Sequence, residues 1–280
     1  LLLSLSLSLA ACGGGADDGD VRSTATAGGD APSDLPPPGD LDAAIAGPQR
    51  SEENRARDRY RHPRETLSFF GIAPEMRVIE ISPGGGWYTE ILAPYLRGRG
   101  TLVAAIPGAE GRRARYRQAF LDLQTSRPEL FGDIEVATFD TPDTIELGPD
   151  DSADMVLTFR NTHGMIGDGA LDASMAAFFR VLRPGGVLGL VQHRAAEGAD
   201  ATESARSGYV PEAFVIEAAT RAGFVLEERS EINANPSDTR DHPEGVWALP
   251  PSLRLGETDR ERYLAIGESD RMTLRFRKPR

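Results

Sequence analysis

Along residues 51–280, short apolar runs alternate with stretches of helical periodicity, separated by Gly, Pro and Asp. Ser51 followed by Glu52 and Glu53 predicts a helix N-terminus with acids in its first turn, ending before Pro63. A second helix is expected over 63–70, opened by Pro63 and closed by Gly71. Runs at 77–82, 101–106, 134–140, 154–160, 187–193, 224–232 and 272–277 predict strands, and most gaps between them carry helical patterns, at 87–96, 112–125, 171–182 and 211–222. Such alternation implies a parallel sheet covered on both faces. The last run alternates apolar and basic residues, which suits an antiparallel strand exposed on one side. The expected architecture is an α/β three-layer sandwich around a mostly parallel seven-stranded sheet with an antiparallel last strand.

The first fifty residues break this pattern. Residues 1–9 alternate Leu and Ser almost without interruption and run into Ala10, Ala11, Cys12 and Gly13. A short apolar run ending in small residues has the form of a secretory signal, and it is too short to span a bilayer. Leu9-Ala-Ala-Cys12 resembles the bacterial lipobox, which implies lipidation of Cys12, the sole cysteine, and a membrane anchor. With no initiator Met and no basic segment ahead of the run, the natural start is expected upstream. Residues 13–50 are rich in Gly, Ala, Asp, Pro, Ser and Thr, so a disordered tether is expected there. The resulting division is 1–12 as signal, 13–50 as tether and 51–280 as the folded domain. It places the protein in the bacterial cell envelope, on the periplasmic face of the outer membrane.

A net charge of −12 argues against a protein that tracks nucleic-acid phosphates, since that needs a basic footprint. Small molecules are the default partners.

The candidate chemistry begins at the end of the first strand, where Glu80 to Gly86 reads Glu-Ile-Ser-Pro-Gly-Gly-Gly ahead of a helix. Glycines at such a turn let the backbone approach a ligand, and the sheet's carboxyl end is where ligands bind in open α/β folds. A dinucleotide fingerprint wants spaced glycines and an acid about 20 residues on, at the end of the second strand. Ile106 stands there instead, and the acid, Glu80, lies inside the first strand. A nicotinamide-dependent oxidoreductase is therefore disfavoured.

The block Glu80–Gly86 resembles the first motif of class I S-adenosylmethionine-dependent methyltransferases, E/D-x-G-x-G-x-G. Glu80 takes the acid position, Gly84 and Gly86 take the second and third glycines, and Ser82 replaces the first. The likeness extends through Asp140 at the end of the third strand, 154–160 as the fourth, the Leu-Arg-Pro-Gly-Gly turn at 182–186 and Ala222-Gly-Phe224. A group of bacterial methyltransferases is similar in its "PGGGWYTE-ILAPYL" block and in an N-x-H after the fourth strand, here Asn161 and His163. The resemblance implies a Rossmann-like fold and S-adenosyl-L-methionine as cofactor. It also implies cofactor contacts from Glu80, Ser82, Pro83, Gly84, Gly85, Gly86, Asp140 and Asn161.

Methyl transfer from a sulfonium needs positioning above all, with a base only where the nucleophile must lose a proton. Candidate catalytic groups are Asn161 and His163 after the fourth strand and His193 after the fifth, with the alternative that each histidine serves only its own loop. Arg61, His62 and Arg64 read as a solvated basic helix face, although the resemblance also implies that the N-terminal helices carrying them close over the cofactor, and Trp87 and Tyr88 read as core packing or pocket wall. Asp238, Asp241 and His242 fit no metal-ligand spacing, so no metal is expected, and the long stretch 233–270 is read as a substrate lid or a disordered insertion. The sequence thus predicts a lipid-anchored methyltransferase with a small, apolar or partly apolar acceptor. The alternative is a catalytically silent domain of the same fold, binding ligands at the envelope.

Overall fold

The computed structural model describes residues 35–111 and 113–280, so the expectations for Cys12 and for the signal and tether up to residue 34 lie outside the described residues. Four helices come first: α1 (Leu41–Ala46), α2 (Glu52–Arg55), α3 (Asp58–Arg61) and α4 (Pro63–Phe70). Then follow β1 (Arg77–Ile81), α5 (Thr89–Leu96), β2 (Thr101–Ile106), α6 (Ala114–Ser126), α7 (Pro128–Phe131), β3 (Glu135–Asp140) and β4 (Thr144–Glu146). The second half comprises β5 (Ala153–Phe159), α8 (Thr162–Gly167), α9 (Leu171–Val181), β6 (Leu182–His193), α10 (Ala201–Arg206), α11 (Glu212–Arg221) and β7 (Val225–Ser230). A 3₁₀ turn (Gly245–Ala248), α12 (Arg260–Ile266) and β8 (Arg271–Arg277) complete it.

The sheet order is β4-β3-β2-β1-β5-β6-β8-β7. Six strands run parallel, and β8 is antiparallel as expected, but it lies between β6 and β7 and is mostly buried where an exposed side was expected. The count of seven strands is corrected to eight. Strand β4 is a three-residue antiparallel edge on β3, too short to show a period in sequence. The expected single helix over 51–62 is likewise two short turns, α2 and α3.

Period-two alternation divides the core into two layers. Ile79 and Ile81 of β1 face one apolar layer, under α9 and α11. Val78 faces the other, with Leu67, Phe70, Ile91 and Leu92 of α4 and α5. Glu80 points the same way as Val78 by parity and is 2% exposed. Gly189 in β6 allows α4 to lie close, because a Cβ there would stand 2.8 Å from the Phe70 ring.

The folded domain begins well before residue 51, which corrects the expected tether. Leu35, Leu41 and Ile45 pack against the core under α5, and Asp40 caps α1 by accepting from the Ala43 N–H at 2.9 Å. Arg50 is 2% exposed, donates to both Asp58 oxygens at 2.6 and 2.7 Å, and lies 5.0 Å over the Trp87 ring. Three apolar side chains spread over a Gly- and Pro-rich stretch are too sparse for a periodic signal, yet they pack once the α5 surface is supplied. Among the described residues no helix is long and apolar enough to cross a membrane.

Candidate functional site

The sheet reverses its winding between β1 and β5, and ligands of open α/β folds bind at such a switch point. There β1 leaves the sheet through Ser82, whose N–H still donates to the Ala105 carbonyl at 2.9 Å. Ser82, Gly84 and Gly86 all hold positive φ, at 47°, 60° and 79°. Ser82 therefore sits in the left-handed region that favours glycine, which accounts for the glycine of the motif it departs from. A Cβ placed on Gly84 or Gly85 would meet nothing within 4 Å, so their backbone is open to a ligand.

Two cavities meet on this loop, and Ser82, Pro83, Gly84, Arg160 and Asn161 line both. The larger, about 370 Å³, has an apolar wall of Ile106, Tyr116, Phe120, Phe139 and Met165. The smaller, about 220 Å³, lies toward the N-terminal helices and includes Glu80, Trp87, Tyr88, Arg57 and Arg61. Gly85 lines only the smaller one. Burial pushes the Glu80 carboxyl up to about 7, against the pull of a hydrogen bond from the Thr89 hydroxyl at 2.7 Å. Trp87 and Tyr88 are both core and cavity wall, and Tyr88 stacks on Phe159 with centroids 3.6 Å apart.

Asn161 donates from Nδ2 to the Ile81 carbonyl at 2.7 Å, tying the end of β5 to that of β1. Its Oδ1 has no hydrogen-bond partner among the described residues. Asp140 borders the larger cavity through its neighbours Phe139 and Thr141, while its Oδ2 accepts from the Gly108 N–H at 3.1 Å. Beside it, Arg113 donates to the Thr141 carbonyl at 2.8 Å and pairs with Asp168, which also accepts from the Thr141 hydroxyl at 2.6 Å.

His163 lines the larger cavity; His193 stands behind it with ring centroids 5.9 Å apart. Gln192 orients His163. Its Oε1 accepts from the Thr162 N–H at 3.1 Å and its Nε2 donates to the Gly208 carbonyl at 2.8 Å, so backbone chemistry fixes the amide. The same Nε2 lies 3.4 Å from His163 Nδ1, which must then accept, leaving the proton on Nε2. Burial holds the His163 pKa below its ordinary value, with Gln192 opposing it. His193 is held well below its own by burial, then by His163, and its Nδ1 lies 2.5 Å from the Ser269 hydroxyl. These two histidines are neutral at pH 7, so His163 presents a donor, with no base at Nε2.

Sequence reasoning missed Arg57, Arg160 and Arg271 and favoured the wrong surroundings for Arg61. Arg61, expected on a solvated face, is 3% exposed and lies 4.8 Å over the Trp87 ring. Arg64 does sit on the surface, paired with Asp42. Glu268, buried, pairs locally with Arg271 at 3.0 Å and gathers Arg57 at 2.6 Å and Arg61 at 3.1 Å from about 200 residues away in sequence, a convergence with no local signal. Arg160 could have been suspected from its place beside Asn161 at the end of β5.

The stretch 233–270 is packed into the domain. Buried Asp238 accepts from the Tyr209 hydroxyl at 3.0 Å, the Asp270 N–H at 2.8 Å and the Arg240 N–H at 2.9 Å, with His242 Nε2 at 2.9 Å. Trp247 from this stretch meets the His163 ring edge-on at 5.8 Å. Among the described residues no group of three or more His, Cys, Asp or Glu is placed to hold a metal ion.

No protein-family model and no curated protein matches this sequence. Solved structures do match the fold. A protein assigned as a sarcosine dimethylglycine methyltransferase from Galdieria sulphuraria aligns with a TM-score of 0.55 at 14% identity, over 81% of this chain and 88% of its own. Geranyl diphosphate C-methyltransferase from Streptomyces coelicolor A3(2), solved with S-adenosyl-L-homocysteine, gives 0.53 at 12% identity, over 87% and 90%. The [4+2]-cyclase SpnF gives 0.54 at 18% identity, over 84% and 85%. The likeness lies in the backbone, and by it the domain has the Rossmann-like fold found in S-adenosylmethionine-dependent methyltransferases.

Proposed function

We propose that this chain is an S-adenosylmethionine-dependent methyltransferase acting on a small-molecule acceptor. The observation that carries the reading is the open backbone at Gly84 and Gly85, flanked by a buried carboxylate at Glu80, where two cavities meet. The residues fit the cofactor: the apolar wall of the larger cavity suits a purine, Asn161 Oδ1 is available to a donor, and Glu80 suits an ammonium. When bound, the cofactor supplies a methyl group on a positively charged sulfur. The acceptor's lone pair would take up that methyl carbon, with the carbon–sulfur electron pair staying on sulfur. The protein's part is alignment of acceptor and methyl group. His163, neutral and donating from Nε2, would orient the acceptor; any acceptor proton would leave to water.

The test is calorimetric titration with S-adenosylmethionine and S-adenosylhomocysteine. Saturable binding that is lost in Gly84→Val supports the reading, and no heat at millimolar cofactor sinks it. Ile106, apolar where an acid would hold ribose hydroxyls, favours a second reading, a silent domain that binds the cofactor without turnover. Bound cofactor with no methyl transfer to any acceptor in a metabolite screen would favour it.

The sequence also supports an anchor at Cys12, holding the domain at the periplasmic face of the outer membrane. Mass spectrometry of the mature N-terminus should find a diacylglyceryl group on Cys12; an unmodified Cys12 in the mature protein would refute it.

A further inference from the structure

Arg57 precedes α3 and Arg61 ends it, a spacing of four that puts both on one helical face. That face meets Glu268, and each arginine reaches it through Nε: Arg57 at 2.6 Å to Oε1 and Arg61 at 3.1 Å to Oε2. Glu268 Oε2 also accepts from Arg271 Nη1 at 3.0 Å, so both carboxylate oxygens are engaged. Pairing through Nε leaves the terminal nitrogens of Arg57 and Arg61 over. Arg61 is 3% exposed, and its Nη1 is buried without a hydrogen bond. Nor can this guanidinium turn away, because the Trp87 ring lies 4.8 Å from it and Glu268 holds its Nε. A guanidinium keeps its protons at neutral pH, so a buried N–H without an acceptor costs free energy. Both arginines line the smaller cavity, and Arg160 lines it with them. The cavity therefore offers a pre-set fork of donors to an incoming oxygen anion.

Glu80 lines the same cavity and suits an ammonium. In an α-amino acid the ammonium and the carboxylate share one carbon. A ligand whose ammonium meets Glu80 thus presents its carboxylate inside this cavity, to the arginines. Resting on the methyltransferase reading, we propose that Arg57 and Arg61, positioned by Glu268 and joined by Arg160, receive the cofactor's carboxylate and make the domain selective for a cofactor that carries one. A decarboxylated cofactor forfeits those charge-assisted bonds and sets one more net positive charge against the guanidiniums. Ile106, Phe120 and Phe139 line the larger cavity and not the smaller, so the nucleoside and the amino-acid end are read by different walls.

The experiment is calorimetric titration at constant pH and ionic strength with three probes. They are S-adenosylhomocysteine, its decarboxylated analogue S-adenosyl-3-thiopropylamine, and 5′-methylthioadenosine, which lacks the whole amino-acid end. S-adenosylhomocysteine should bind roughly tenfold or more tighter than the decarboxylated analogue. Arg61→Gln should abolish most of that preference while leaving 5′-methylthioadenosine affinity unchanged. Because Arg61 is buried, Arg57→Gln provides a second variant at a partly exposed side chain. It should lower the same preference and melt close to the parent protein, so the outcome does not hang on the folding of Arg61→Gln. Equal affinity for S-adenosylhomocysteine and its decarboxylated analogue sinks the proposal while the methyltransferase reading stands. The proposal also fails if both variants weaken 5′-methylthioadenosine as much as S-adenosylhomocysteine, for the arginines then serve only the fold. Should none of the three probes bind the parent protein, the methyltransferase reading and the proposal fall together.

Discussion

The Thr89 hydroxyl, in the first turn of α5, donates a 2.7 Å hydrogen bond to the Glu80 carboxylate buried at the end of β1. That bond favours the charged form, but burial outweighs it and lifts the carboxyl from 4.5 to about 7. Between those values the folded chain binds more protons than the unfolded one. Glu80 therefore contributes stability at low pH that is lost as pH rises toward 7. The loss is roughly 2–4 kcal/mol. Glu80→Gln should match the parent protein near pH 4 and exceed it by about that amount at pH 8. Denaturant unfolding at both pH values decides it; an equal difference at the two would count against the raised carboxyl.

Gly84 and Gly189 should separate binding from packing. At Gly84 a Cβ has open space but a φ of 60°, so Gly84→Ala should cost about 1 kcal/mol or less of stability. Cofactor affinity should nevertheless fall at least tenfold, because the methyl stands on the ligand side. Gly189→Ala drives a Cβ into Leu157 at 2.7 Å and Phe70 at 2.8 Å and should cost about 1–3 kcal/mol. Its cofactor affinity should be unchanged. Calorimetry and unfolding on both variants give the comparison.

The Gln192 amide predicts the His163 tautomer. Nitrogen-15 chemical shifts at pH 7 should show a protonated Nε2 and an unprotonated Nδ1, and a protonated Nδ1 would contradict the arrangement. Gln192→Leu leaves the Thr162 N–H and the Gly208 carbonyl without their partner. It should destabilise the fold by about 2–4 kcal/mol. Because burial holds His163 neutral, the pH profile of kcat/KM should lack an ascending limb from its deprotonation above pH 6.5.

Arg50 joins the segment before α2 to the domain. Arg50→Ala removes both bonds to Asp58 and the stack on Trp87, and should cost about 3 kcal/mol in denaturant unfolding. Asp58 is partly exposed, so the cost should lie at the lower end for a broken buried pair. A loss under about 0.5 kcal/mol would show that residues 35–50 are not integral to the fold.

The order of strands and helices, the glycine turn and its acid were legible in the chain because each rests on local physics. A period of two or 3.6, a Pro at a helix start and a Gly past a helix end are written within a few residues. Even Ser82 signalled its position, since its neighbours held the motif while its φ of 47° waited on the structure. The sequence by itself determined a mostly parallel α/β sheet with a glycine turn at the end of β1. Tertiary structure alone decided that residues 35–50 fold, that β4 adds an edge, and that Arg61 is buried. It also brought Arg57 and Arg61 to one glutamate at position 268, on a cavity that Arg160 lines with them. The reason is physical: burial and charge pairing between segments about 200 residues apart depend on which surfaces meet, and no local pattern encodes that.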